Sequence, residues 1–186
     1  MSDSEDVIAW ARANPEAWLS TVFGANLWPT QSAILRSFMR NRITLVPSCH
    51  ASGKSFTAAH AAIYALLTNP GSKVLTTATT YQQLTNGLWG EIRAAFDRHR
   101  ALAREGKCPP IGVEPLTTEL KIAPTWLAYA ISSDRPEAFQ GVHASGGVYI
   151  IIDEADGIDQ ARWEAIKSNM STGDVHALLI GNPLDS

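Results

Sequence analysis

The chain has 186 residues, 45% hydrophobic and 18% charged, enough for one well-buried domain and too apolar for a chain disordered throughout. A net charge of -3 argues against a stand-alone nucleic-acid binder; any grip on such a polymer would need a local patch or several copies. Cys49 and Cys108 match no metal or redox spacing and read as reduced thiols. The acidic start Met1–Asp6 excludes a signal peptide, and no apolar run approaches the roughly 20 residues that span a bilayer, so a soluble intracellular protein is expected.

In chain order, Ser4 and the acidic residues after it cap an amphipathic helix carrying Val7, Ile8, Trp10 and Ala11, followed by a loop around Gly24-Ala25-Asn26. Pro29 opens a second helix to Arg40, with Ile34, Leu35, Phe38 and Met39 on one face. Arg42–Val46 reads as a strand ending at Pro47. Lys54–Leu67 reads as an alanine-rich helix stopped by Asn69-Pro70-Gly71, and Lys73–Thr79 as a second strand. Tyr81–Arg104 has helical spacing, softened by Gly87 and Gly90. Glu119–Ala123 and Trp126–Ile131 form a hairpin pattern across Pro124-Thr125. Val148–Ile152 is an unbroken apolar run, the mark of a strand buried on both faces. A helix over Asp159–Met170 and a strand over His176–Ile180 complete the alternation. The pattern predicts a three-layer α/β domain with a mostly parallel sheet: a helical segment over 1–27 and a core over 28–186.

Two segments carry the chemistry. Ser48-Cys49-His50-Ala51-Ser52-Gly53-Lys54-Ser55 lies between a predicted strand and helix and matches GxxxxGK[ST] except for Ser48 at the first glycine. Small residues there can still turn backbone N–H groups toward phosphate, helped by the helix N-terminus. Lys54 would reach the β- and γ-phosphates of ATP, Ser55 would ligate Mg²⁺, and Gly53 would let the backbone approach closely. In Val148-Tyr149-Ile150-Ile151-Ile152-Asp153-Glu154, an apolar strand delivers carboxylates at its C-terminal end. Asp153 would hold Mg²⁺, mostly through water, and Glu154 would polarise the attacking water. The bland readings are a chance Gly-Lys-Ser at a helix start and a solvated acidic turn. The pair of signals, inside an α/β pattern, points to an ATPase.

Lesser signals fit the same site. Gln31, in Trp28-Pro29-Thr30-Gln31, can read the adenine edge, or can be an exposed helix-start residue. Asn182, in Gly181-Asn182-Pro183, can sense the γ-phosphate, or can belong to a simple turn. Arg135 lies in a loop and can serve a neighbouring subunit as an arginine finger, or can be a surface residue; Arg162 and the cluster Arg98, Arg100, Arg104 stand behind it. His50, His60 and His143 share no metal spacing and read as loop or core histidines.

These elements stand in a recognisable order: Trp28–Gln31, the loop at 48–55, Thr77-Ala78-Thr79-Thr80-Tyr81-Gln82-Gln83, Phe139-Gln140-Gly141-Val142-His143-Ala144, Ile152-Asp153-Glu154-Ala155 and Gly181-Asn182-Pro183. Over essentially its whole length the chain resembles the ATPase domain of the large terminase subunit of tailed bacteriophages and prophages. The segment before Asp-Glu-Ala and the Gly-Asn-Pro after it carry most of that specificity. The resemblance implies a P-loop ATPase of the additional-strand, catalytic-glutamate kind that drives double-stranded DNA into a procapsid in the bacterial host cytoplasm. It implies a homo-oligomeric ring (a pentamer on the portal protein), a small terminase subunit as partner, and no membrane. It places Lys54 and Ser55 in the P-loop roles, Asp153 in the metal role, Glu154 in the catalytic role, Gln31 in adenine reading and Asn182 in coupling. His50 stands where many members have an arginine. A C-terminal nuclease domain is expected to be absent, and with it nuclease activity. Two rivals remain: a helicase lobe, since Asp153-Glu154-Ala155-Asp156 spells a DEAD box, and a nucleotide-binding core without turnover of its own.

Overall fold

The computed structural model describes residues 3–49, 52–132, 136–170 and 173–182. Two helices, α1 (Asp3–Ala13) and α2 (Pro15–Phe23), stand where the sequence pattern suggests one. Pro15 has no N–H to continue a helix and instead occupies a first-turn position, so the chain breaks at Asn14. Helix α3 (Pro29–Arg40) opens at the predicted proline and buries Leu35 and Phe38. The remaining elements are β1 (Ile43–Pro47), α4 (Lys54–Thr68), β2 (Lys73–Thr77), α5 (Trp89–Arg104), β3 (Glu119–Ala123), β4 (Trp126–Ala130), β5 (Val148–Asp153), α6 (Gln160–Met170) and β6 (Val175–Gly181). A π-helical turn over Gln83–Leu88 precedes α5, at the stretch containing Gly87. No helix among the described residues is long and apolar enough to cross a membrane.

The six strands form one sheet in the order β1-β6-β5-β2-β4-β3. All pairings are parallel except β3 with β4, the predicted hairpin, which forms one edge. Every residue of β5 is buried, as expected for a central strand covered on both faces. Its side chains alternate between two cores. Tyr149 and Ile151 join Val74, Ala128, Leu178 and Ile180 under α1–α5; Val148, Ile150 and Ile152 join Leu75, Ala177 and Leu179 under α6 and Phe139. The helices over 3–23 share the first core. Phe23 packs edge-to-face on Phe96 at 5.4 Å between ring centroids, and Trp18 on Tyr64 at 5.8 Å. At the other edge of the sheet, Ile43 and Leu45 of β1 stay exposed.

Candidate active site

Strand order places the site. Strand β6 runs between β1 and β5, pairing Pro47 with Gly181 and Asp153 with Ile180. The carboxyl ends of these three parallel strands therefore deliver the loop after Pro47, Asn182 and the Asp153-Glu154 pair to one rim, where open α/β sheets bind ligands. Ser48 N–H donates to the Gly181 carbonyl at 2.9 Å, carrying the ladder one step past the strand.

The loop is closed by its own small side chains. Ser48 Oγ lies 2.5 Å from Ser52 Oγ, and Ser52 Oγ donates to the Cys49 carbonyl at 2.8 Å, so Ser48 cross-ties the turn at the position where the motif has glycine. Gly53 adopts φ 76°, which a side-chain-bearing residue resists, and its carbonyl accepts from Thr57 N–H and Thr57 Oγ1 as α4 begins. Lys54 is buried, yet its ammonium is not orphaned: Nζ donates to Asn182 Oδ1 at 2.6 Å and lies 3.6 Å from Glu154 Oε1. One turn-start residue further, Ser55 Oγ donates to Asp153 Oδ2 at 2.7 Å.

On the acidic side, Asp153 is buried at the end of β5. Burial raises its carboxyl above the ordinary carboxylate range; the Ser55 hydroxyl opposes that shift and the neighbouring Glu154 charge adds to it. Glu154 is half-buried and has φ 56° and ψ 51°, the one positive φ outside glycine among the described residues. Its N–H donates to Asp153 Oδ1 at 3.2 Å and its carbonyl accepts from Thr79 Oγ1 at 3.0 Å. Asn182 N–H donates to Asp156 Oδ1 at 3.2 Å, which binds the end of β6 to the same acidic turn.

Two clefts flank this cluster. One, of about 150 Å³, is lined by Trp28, Gln31, Ile34, Ser48, Ser52 and Lys54 among others. Gln31 is almost fully buried there. Its Oε1 accepts from Trp28 N–H at 3.3 Å, and its Nε2 would lie 3.1 Å from a Cβ placed on Gly53. The apolar residues around one amide suit a flat heterocycle with hydrogen-bonding edges. The other cleft, of about 610 Å³, is polar and open, lined by Ser55, Asp153, Glu154, Thr80, Gln82, Gln83, Asn86 and Gly87.

The structure thus gathers Gln31, Ser48, Cys49, Ser52, Gly53, Lys54, Ser55, Asp153, Glu154 and Asn182 at one rim. His50, Ala51, Arg135 and Pro183 lie outside the described residues. Arg98 and Arg100 are engaged elsewhere: Arg98 donates to the Phe23 carbonyl and contacts His60, and Arg100 pairs with Asp97 and Glu114. Phe139 is buried in the α6-side core and His143 is exposed. The sequence pattern passes over the π-helical wall and the contact from Thr79 to Glu154. The run Thr77-Ala78-Thr79-Thr80, hydroxyls at the end of a strand, is the signal that could have found the latter.

No family model matches the chain. A curated relative, "Probable terminase, large subunit" of Enterobacteria phage P7, is 28% identical over 96% of this chain, which spans 36% of that protein's length. Among solved structures, the large terminase ATPase domain of Thermus phage P74-26 matches with 25% identity and TM-score 0.65 over 90% of this chain and 69% of that one. A mutant form of it matches with 26% identity and TM-score 0.68 over 89% and 70%. The large terminase of bacteriophage D6E in complex with ADP shares the fold, at 13% identity and TM-score 0.57 over 84% of this chain and 39% of that one. With the same strand and helix architecture and sequence likeness along nearly its whole length, the chain is similar to phage terminase large subunits, in the region that forms their ATPase domain.

Proposed function

We propose that this chain is a Mg²⁺-dependent ATPase that acts as the motor domain of a terminase, coupling ATP hydrolysis to translocation of double-stranded DNA into a procapsid. The observation that carries the chemistry is the convergence of Lys54, Ser55, Asp153, Glu154 and Asn182 within direct hydrogen-bond or ion-pair reach of one another. The adenine would enter the Gln31 cleft and the triphosphate would lie along the 48–55 loop toward Lys54, at the start of α4. The donor set suits Mg²⁺: hard oxygens, one hydroxyl and one buried carboxylate whose ionisation a cation would favour. Ser55 and Asp153 would hold it, and it would supply charge neutralisation on the phosphates. Glu154, facing the open polar cleft, would orient and polarise the attacking water.

The partners follow from the likeness to terminases: a homo-oligomeric ring on a portal, a small terminase subunit and DNA, in the host cytoplasm. The likeness to terminases supports a ring in which a neighbouring subunit supplies an arginine, with Arg135 as the candidate donor. The chain spans 36% of the curated relative's length, which favours a second reading, a nucleotide-binding core that does not turn over alone. Hydrolysis measured against protein concentration separates the two. A rate per subunit that climbs with concentration, and falls on the order of 100-fold or more in Glu154→Gln with ATP binding kept, supports the motor. Binding without phosphate release at any concentration supports the core, and failure to bind ATP sinks both.

A further inference from the structure

Glu154 holds its carboxylate on a backbone that L-residues rarely adopt, and such a conformation persists only where its surroundings over-determine it. Two of its restraints are local: its own N–H to Asp153 Oδ1, and the Gly157 N–H to its carbonyl at 3.2 Å. The third comes from 75 residues away, where Thr79, just past the end of β2, donates its hydroxyl to the same carbonyl at 3.0 Å. Thr79 is itself wedged. A Cβ at Gly157 would lie 2.4 Å from its Oγ1, 2.7 Å from its Cγ2 and 3.1 Å from its Cβ. Beyond it, Thr80 and Gln83 cap one another (Thr80 N–H to Gln83 Oε1 3.1 Å, Gln83 N–H to Thr80 Oγ1 3.2 Å) and launch the π-helical turn that forms the far wall of the polar cleft. Thr79 therefore joins that wall to the carboxylate-bearing turn.

We infer that Thr79 is a positioning residue for hydrolysis, its hydroxyl fixing the strained backbone of Glu154 and so the aim of the Glu154 carboxylate. This rests on the reading of Glu154 as the group that polarises water. A merely structural role would make Thr79 an ordinary loop tie, and the kinetics distinguish the two. Thr79→Val keeps the shape against Gly157 and removes the hydroxyl; Thr79→Ser keeps the hydroxyl. Thr79→Val is expected to lower kcat roughly ten- to a hundredfold, with KM for ATP and nucleotide Kd held within about twofold and Tm unchanged, while Thr79→Ser restores turnover. Wild-type kcat in Thr79→Val overturns the inference, as does a loss of kcat matched by a rise in KM and a fall in Tm. Full turnover in Glu154→Gln, run alongside, overturns the reading beneath it and the inference with it. Where steady-state turnover is slow, single-turnover phosphate release with enzyme in excess reads the same contrast: a rate lowered in Thr79→Val and restored in Thr79→Ser sustains the inference, and an unchanged rate overturns it.

Discussion

Lys54 and Asn182, 128 positions apart in sequence, are joined by a 2.6 Å hydrogen bond across the rim of the sheet. Any phosphate drawing on Lys54 shares that ammonium with the Asn182 carbonyl and with Glu154. Asn182→Asp sets a second carboxylate on Lys54 and so competes with phosphate. Since a charge-assisted bond is worth about 1.5–3 kcal/mol, nucleotide affinity is expected to fall about ten- to a hundredfold. Asn182→Ala should leave affinity within about threefold of wild type, because the freed Lys54 ammonium can turn to the phosphate while Glu154 stays beside it. Titration with a fluorescent ATP analogue reads both, and an Asn182→Asp variant that binds as tightly as wild type would refute the competition.

Gly181 has no room for a side chain. A Cβ there would lie 2.8 Å from both the N and Oδ1 of Asp156 and 3.0 Å from the Ala155 N, and the two backbone atoms cannot swing aside. Gly181→Ala is expected to destabilise the fold by about 1–3 kcal/mol and to loosen the Asn182–Asp156 hydrogen bond. Gly112→Ala, with nothing within 4 Å of the added carbon, serves as the control and should change stability by no more than about 0.5 kcal/mol. Urea unfolding of the pair checks the contrast; equal midpoints would mean that the acidic turn yields.

His60 gives the protein an acid limit. It is buried on α4, and burial lowers its pKa from 6.5 to about 4, with Arg98 acting in the same direction against the hydrogen bond to Phe56. The Phe56 carbonyl at 2.7 Å can only accept and the Arg98 guanidinium at 3.3 Å can only donate, so the proton sits on Nδ1 and Nε2 accepts. Protonation would turn Nε2 into a donor facing a cation. Because the folded-state pKa is the lower one, the unfolded chain binds the extra proton first. The stabilisation is full above about pH 6.5 and is lost as pH falls toward 4, by roughly 3 kcal/mol in total. Denaturant titrations at several pH values between 7.5 and 4.5 should show this decline, and His60→Leu should flatten it whatever its stability at neutral pH. An unchanged slope in that variant would assign the decline to other groups.

Much of this architecture is legible in the sequence because it rests on local signals. The apolar run of β5, the proline opening α3 and the Gly-Lys-Ser after a β-branched strand each state their own structure. Pro15 is a further local signal, since its missing N–H ends α1 and opens α2. Tertiary contacts supply the rest. The threonines after Thr77 suit a strand as well as any residue, yet β2 ends there, and Thr79 and Thr80 turn their hydroxyls to Glu154 and Gln83. The left-handed backbone at Glu154 and the reach of Lys54 to Asn182 have no local signature. Both depend on which strands lie side by side, and the chain order of the strands does not state that.

The place of β6 in the sheet has a consequence for how the site tolerates change. The loop after Pro47 hangs from β1 and the acidic pair from β5, and these strands do not touch; β6 alone spaces them. Its register is fixed by apolar side chains, Ala177 and Leu179 toward one core and Leu178 and Ile180 toward the other, and a slip of one residue would exchange the two sets. The gauge of a charged, hydrophilic site is thus set by hydrocarbon. Kinetic defects should therefore arise from altered packing along β6, at positions that never meet a phosphate.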